Sequence, residues 1–123
     1  MTRLALLAIL LVACSGDGTE ADRLGIGAQC TESNECDTEM GQSCLAFKGG
    51  YCGEADCLRD TDCPDSSACI AHDDGTNYCF RTCIDKAECN ANRDPENEAN
   101  CSSNVTFVDG DMGRKACVPP SGS

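Results

Sequence analysis

The residues with the greatest scope for chemistry in this chain are its cysteines, 13 in 123 residues. Cysteine thiols form disulfides, bind soft metal ions or act as nucleophiles, and their spacing helps to distinguish these uses. The sequence has no C-x2-C pair of the kind typical of zinc, iron–sulfur and thioredoxin-like redox sites. A cysteine density this high is typical of small exported domains cross-linked by disulfides. We therefore predict disulfides, with no metal site and no other cofactor.

The first cysteine, Cys14, has a different setting from the others. Arg3 is followed by an unbroken apolar run, LALLAILLVA, at residues 4–13. Ten helical residues cover about 15 Å, only half of the hydrocarbon core of a bilayer. The run therefore fits the apolar region of a signal peptide better than a membrane-spanning helix, and we assign residues 1–13 to a signal peptide.

The end of this run, Leu11-Val12-Ala13-Cys14, resembles the lipobox of bacterial lipoproteins. The resemblance implies that Cys14 receives a diacylglyceryl group, that the leader is removed and that the new amino terminus is acylated, with palmitate as a typical acyl chain. Several acyl chains make a durable membrane anchor. Ser15 follows instead of the aspartate that favours inner-membrane retention, which implies the outer membrane. Conventional cleavage, with Cys14 as an ordinary thiol, is the alternative.

The other 12 cysteines form three groups of four, which begin at Cys30, Cys57 and Cys83. Each group opens with C-x5-C, and the residue before the second cysteine is acidic in all three. The starts are 27 and 26 residues apart, a period typical of tandem repeats. We assign the modules to residues 30–52, 57–79 and 83–117. The cysteines predicted to form disulfides are Cys30, Cys36, Cys44, Cys52, Cys57, Cys63, Cys69, Cys79, Cys83, Cys89, Cys101 and Cys117.

Each module also has the sequence signature of one short β-hairpin. In the first two modules, apolar residues after the third cysteine lead to a glycine-containing turn and then to Tyr51-Cys52 or Tyr78-Cys79. In the third module we predict the strand at residues 105–108 and its return at 115–118. Four cysteines allow three connectivities, and first-to-third with second-to-fourth is our working hypothesis.

The predicted fold class is therefore small and disulfide-rich: three tandem four-cysteine modules, each a short β-hairpin plus loop, with little helix beyond the signal peptide. Residues 14–29, which contain four glycines, are predicted to be the lipidated cysteine and a flexible tether. The disulfide-rich domain is assigned to residues 30–123. Only three or four residues separate the modules, so we expect an elongated rod in which each module contacts only its neighbours.

Beyond residue 13 the chain is poor in core-forming residues and strongly acidic. Leu, Ile, Val and Phe together number 12 there, and eight basic residues face 21 acidic ones, a net side-chain charge of −13. A reduced chain of this composition should be disordered, because it cannot bury enough apolar surface to offset the entropy of ordering. A disulfide that closes a ~15-residue loop contributes on the order of 3 kcal/mol, so six could decide the fold. The charge argues against nucleic acid as a partner, since phosphates would be repelled.

Few residues are arranged for catalysis or for binding a metal ion. His72 is the single histidine and occupies the place that Phe47 has in the first module, which indicates a strand-surface residue and not a catalytic base. No acidic cluster has the order of ligands and glycine of an EF-hand, and turn chemistry explains the Asp-Gly pairs. We therefore predict that the protein is not an enzyme. The acidic clusters considered for calcium are Asp73-Asp74, then Asp94 with Glu96 and Glu98, and Asp109 with Asp111.

The repeated pattern resembles the cysteine-rich lipoproteins that are abundant in myxobacteria. The resemblance spans residues 30–117 and lies in C-x5-C, the acidic residue before the second cysteine, the glycine-containing turn and the aromatic-cysteine pair. It implies an exported protein of the cell envelope.

The function expected from the sequence is a lipid-anchored, extracytoplasmic, non-enzymatic binding or structural module with a protein or polysaccharide ligand. Two alternatives stay open at this point. One is a protease-inhibitor-like disulfide scaffold that presents the long third-module loop, residues 90–100. The other is a metal-storing protein with twelve reduced, metal-bound cysteines.

Overall fold

The computed structural model describes residues 25–120. Short β-strands dominate this part of the chain, accompanied by one four-residue α-helix and four 3₁₀ turns. The strands are β1 (Ser43–Leu45), β2 (Tyr51–Ala55), β3 (Ser67–Ala71), β4 (Asn77–Cys83), β5 (Asn100–Ser102), β6 (Thr106–Phe107) and β7 (Lys115–Val118). The α-helix is α1 (Lys86–Cys89), and the 3₁₀ turns are Ser33–Glu35, Thr38–Met40, Asp60–Asp62 and Pro95–Asn97. The predicted small disulfide-rich fold with little helix is confirmed for the described residues.

The strands form one antiparallel sheet that branches at β4. β1, β2, β4, β3 and β6 are neighbours in that order, and β7 pairs with both β4 and β5. β2 pairs with β4 at Tyr78 and Cys79, whereas β7 pairs with it further along, at Thr82 and Cys83. β4 begins in the second module and ends at Cys83, the first residue of the third, so this one strand joins the hairpins of all three modules.

The three hairpins share one register at their cysteines. In each module the third and fourth cysteines lie directly opposite each other on the paired strands, as Cys44 and Cys52 do in the first. Each of these cysteines bonds to one in the C-x5-C segment, so every module pairs first-to-third and second-to-fourth, as in the working hypothesis. The disulfides are Cys30–Cys44, Cys36–Cys52, Cys57–Cys69, Cys63–Cys79, Cys83–Cys101 and Cys89–Cys117.

The acidic residue that precedes the second cysteine caps the C-x5-C loop. Oε1 of Glu35 accepts the backbone N–H groups of Thr31 and Glu32 at 2.7 and 2.9 Å. Asp62 and Glu88 accept the equivalent pair of N–H groups in the second and third modules. Backbone amides at the start of a helical turn have no partner within the turn and need such an acceptor. The repeated acid is therefore explained by backbone capping.

This capping predicts a specific response to acid. Hydrogen bonds from the backbone of Thr31 and Glu32, with a further one from the Thr31 hydroxyl, hold the pKa of Glu35 below its usual value. A carboxyl whose pKa is lower in the folded state stabilises the fold above its unfolded pKa, and that contribution is lost as the pH falls through the folded pKa. On acidification below about pH 4, the Glu35→Gln variant should therefore lose less stability than wild type in denaturant unfolding of the oxidised protein. An NMR titration that placed the Glu35 carboxyl at or above its model-peptide pKa would contradict this.

The core is small and is shared by all three modules. Its buried residues come from each hairpin and from the segment before Cys30; they are Ile26, Leu45, Tyr51, Ala68, Ile70, Phe80, Phe107 and Ala116. The Tyr51 hydroxyl donates to the carbonyl oxygen of Cys117 at 2.8 Å and accepts the backbone N–H of Arg81 at 3.0 Å. Burial raises the pKa of Tyr51, which keeps the hydroxyl protonated as a donor. One phenol thus links the first module to the third module and to strand β4.

Contacts between the first and third modules show that the expected rod is wrong. The guanidinium of Arg93, in the third module, donates to the carbonyl oxygens of Gly27, Lys48 and Gly50 at distances of 2.7 to 3.1 Å. The modules pack around one core because none of them has enough apolar residues to form its own.

The third hairpin also differs from its predicted form. Its outgoing strand is β5, which pairs with β7 so that Cys101 lies opposite Cys117. The predicted strand at residues 105–108 is wrong as a hairpin partner, since β6 pairs instead with Ile70 and Ala71 of β3. The positions of the cysteines, and not the apolar residues at 105–108, determine which strand pairs with β7.

The folded domain begins before Cys30. Ile26 is only 2% exposed, and the N–H of Gly27 donates to the carbonyl oxygen of Cys52 at 2.8 Å. The prediction of a flexible tether is therefore wrong for residues 25–29, because Ile26 fills part of the core. The predicted signal peptide, Cys14 and the rest of the tether lie outside the described residues. None of the helices between residues 25 and 120 is long and apolar enough to cross a bilayer.

Candidate ligand-binding cleft

The twelve cysteines of the modules are joined in disulfides, while Cys14 lies outside the described residues. In each module three sulfur atoms lie within 4.8 Å of one another, as those of Cys30, Cys36 and Cys52 do. Two of each three are bonded to each other, so they are not the thiolates that bind soft metal ions. The groups reflect two disulfides packed side by side, an arrangement that does not favour metal storage.

The acidic turn at residues 109–111 holds the side chain of Arg114. Its guanidinium donates to Oδ2 of Asp60 at 2.9 Å and to the carbonyl oxygens of Gly110 and Asp111 at 2.6 and 3.2 Å. The Asp109 carboxylate accepts the backbone N–H of Asp60 at 2.7 Å. The Asp111 carboxylate accepts the backbone N–H of Gly113 at 3.2 Å. The two carboxylates considered for calcium, those of Asp109 and Asp111, therefore already accept backbone amides of the protein.

The long loop of the third module packs against the rest of the domain. The Asn90 side chain exchanges two hydrogen bonds with the backbone of Ala99, at 2.7 and 3.0 Å, and so closes the loop on itself. Asp94 is hydrogen-bonded to Gln29, and Glu98 forms an ion pair with Lys86 at 3.1 Å. These contacts fasten the loop to the domain while residues 94–96 stay exposed. They also give two of the calcium candidates protein partners.

His72 belongs to the turn between β3 and β4. Its Nδ1 accepts the backbone N–H of Asp74 at 3.2 Å and lies 3.3 Å from Oδ1 of the same residue. The ring packs against Phe47, its counterpart in the first module, with centroids 5.4 Å apart. No hydrogen bond among the described residues joins His72 to a serine or threonine hydroxyl, which a nucleophile and base would need.

A cleft of about 190 Å³ opens between the second and third hairpins, bounded by strands β3, β5, β6 and β7. Its apolar lining comes from Ile70, Ala71, Phe80, Val105 and Val118. Its polar lining comes from His72, Asp73, Asn100, Ser102, Asn104 and Thr106. Acidic Asp73 lies at this cleft, and no lysine or arginine between residues 25 and 120 lines it.

Four of the polar side chains come from a single segment and alternate along it: Asn100, Ser102, Asn104 and Thr106. Asn100 and Ser102 lie on the same side of β5, and Thr106 lies in β6, which pairs with a different strand after the bends at Ser103 and Val105. Ser102 Oγ accepts the backbone N–H of Asn104 at 3.0 Å. Asn100 and Asn104 are exposed, and neither side-chain amide has a hydrogen-bond partner among the described residues. The cleft therefore has neutral hydrogen-bonding groups, including the amides of Asn100 and Asn104 that no described residue binds, beside an apolar wall.

The sequence prediction missed these four residues because it assigned a strand only to residues 105–108 and placed Asn100 at the end of the loop at residues 90–100. The signal that could have identified them is the placement of Asn, Ser, Asn and Thr at every second position from residue 100 to residue 106. Such alternation predicts that one side of an extended segment is polar and uncharged.

Comparisons with protein-family models, curated proteins and solved structures found no significant match to this chain.

Proposed function

We propose that this chain is an exported lipoprotein, anchored through a lipid on Cys14, whose disulfide-rich domain acts as a non-enzymatic binding or structural module of the cell envelope. The observation that carries the proposal is the pairing of all twelve module cysteines, which leaves Cys14 as the odd one of 13. Disulfides persist mainly in oxidising compartments outside the cytosol, which supports export. An odd cysteine in an exported protein needs its own explanation, and the lipobox-like Leu11-Val12-Ala13 before it supplies one.

Binding or a structural role is favoured over catalysis by the surroundings of the single histidine. His72 is hydrogen-bonded within its own turn, and the other polar groups of the cleft that it lines are the Asp73 carboxylate and neutral amides and hydroxyls. The proposed ligand is a protein or a polysaccharide of the envelope. Ser15 after the anchor supports the outer membrane as the destination.

The anchor is tested by expressing the full chain, with its leader, in a Gram-negative host supplied with labelled palmitate. Wild type should carry the label and sediment with membranes, and Cys14→Ser should carry no label. Ser15→Ala is the matched control and should be labelled like wild type, whereas Ser15→Asp should move the labelled protein toward the inner-membrane fraction. A wild-type protein without label, or a Cys14→Ser variant that retains it, would overturn the proposal.

A further inference from the structure

We propose that the cleft between the second and third hairpins binds one neutral pyranose unit of a polysaccharide, with Asn100 and Asn104 as its principal hydrogen-bonding residues. This deepens the proposed envelope function, on which it rests for where the glycan is encountered. The binding chemistry itself depends only on the domain.

The two kinds of wall match the two kinds of surface on a pyranose ring. Each ring hydroxyl both donates and accepts, and the amide side chain of an asparagine does both as well. Asn100 and Asn104 present such amides without internal partners, and Ser102 and Thr106 add hydroxyls beside them. The C–H face of the ring is apolar and fits against a surface such as Val105. Ligand sites commonly combine an apolar lining with a few polar groups in this way.

The charge of the protein favours a neutral ligand over an acidic one. The chain carries 21 acidic and nine basic residues, and Asp73 places one of the carboxylates at the cleft. A uronic acid or a phosphorylated sugar would therefore be repelled. The volume, about 190 Å³, lies below the range of roughly 300–1,000 Å³ typical of drug-sized ligands, so the cleft suits one ring.

Disulfides hold the cleft in shape before any ligand arrives. Cys101 lies between Asn100 and Ser102 in β5 and is bonded to Cys83 at the end of β4. On the other side, Cys69 precedes Ile70 in β3 and is bonded to Cys57. Binding to a preorganised site costs less ordering entropy, which matters for a ligand that gains only a few hydrogen bonds.

The test is a titration of the ¹⁵N-labelled protein in the form that the expression host exports, in micelles of a detergent without a sugar headgroup. The probes are methyl glycosides of glucose, galactose, mannose and N-acetylglucosamine at about 10 mM, high enough to detect dissociation constants near 1 mM. At least one should shift the backbone amides of residues 70–73 and 100–106, and glucuronic acid should shift none of them. If none of the neutral glycosides shifts these amides, the proposal is wrong.

Variants connect the response to the proposed residues. The exposed pair Asn100→Ala with Asn104→Ala should weaken binding of the responding glycoside by about tenfold or more, since two hydrogen bonds are lost. Asn92→Ala, an exposed asparagine outside the cleft, should bind like wild type. Unchanged binding by the double variant would place the sugar elsewhere and overturn the proposal. Loss of palmitate labelling would overturn the anchor but leave this titration unchanged, so the two failures are distinguishable.

Discussion

Gly50→Ala is expected to destabilise the domain by more than about 4 kcal/mol, or to prevent the first module from forming its native disulfides. Gly50 has a φ of 71°, and an added Cβ would overlap the carbonyl oxygen of Cys30 and lie 2.7 Å from Sγ of Cys44. Cys30 and Cys44 are bonded to each other, so neither can move away without displacing the other. The contact involves backbone and a cross-linked sulfur, which relax much less easily than the end of a long side chain.

Gly75→Ala provides the matched control in the turn of the second hairpin. Gly75 has a φ of 89°, but a Cβ there would meet no atom within 4 Å. Its cost should be limited to the left-handed backbone conformation, about 1–2 kcal/mol. Denaturant unfolding of the two oxidised variants, with mapping of their disulfides by mass spectrometry, makes the comparison. Equal losses of stability in the two variants would show that crowding around Gly50 does not cause the destabilisation.

Arg93→Met is expected to cost about 3–5 kcal/mol, because it leaves four buried or partly buried carbonyl oxygens without this donor. The Arg93 side chain is 8% exposed, and its guanidinium donates to the carbonyl oxygens of Gly27, Lys48, Gly50 and Asn97. Burial lowers the pKa of Arg93, yet an arginine remains charged at neutral pH. This side chain fastens the third module to the first, so its loss should also loosen the segment that begins at Gly25.

Two further variants separate the geometry of Arg93 from its charge. Arg93→Lys keeps the charge but has a compact ammonium that cannot reach four carbonyls at once. Its unfolding free energy should therefore lie between that of wild type and that of Arg93→Met. Lys86→Met removes an exposed ion pair with Glu98 and should change the unfolding free energy by less than about 1 kcal/mol. An Arg93→Met protein as stable as Lys86→Met would refute the linking role of Arg93.

The features that the sequence predicted well are local to one module. The spacing of the cysteines, the glycine turns and the acid before the second cysteine all act within about 30 residues of chain. β-pairing places Cys44 opposite Cys52 with the C-x5-C loop above them, so the disulfide pattern repeats wherever the spacing repeats. Glu35 caps its own loop for the same reason.

The features that could not be predicted depend on contacts between modules. Tyr51 and Tyr78 occupy equivalent places in the repeat, but Tyr51 is fully buried beneath the third module whereas Tyr78 is partly exposed and donates to Asp74. Arg93 lies among exposed polar residues in sequence, and only the folded chain brings it to carbonyls more than 40 residues away. The cleft arises in the same way, since its two walls belong to different modules.

The measurement that tests the central claim most directly is the intact mass of the protein purified from membranes of the producing cell, with and without reduction and thiol alkylation. The account predicts a chain that begins at an acylated Cys14 and has no thiol to alkylate before reduction. After reduction, twelve cysteines should be alkylated, in keeping with the six disulfides of the modules. An uncleaved leader, or free thiols in the unreduced protein, would contradict the anchor or the scaffold, respectively.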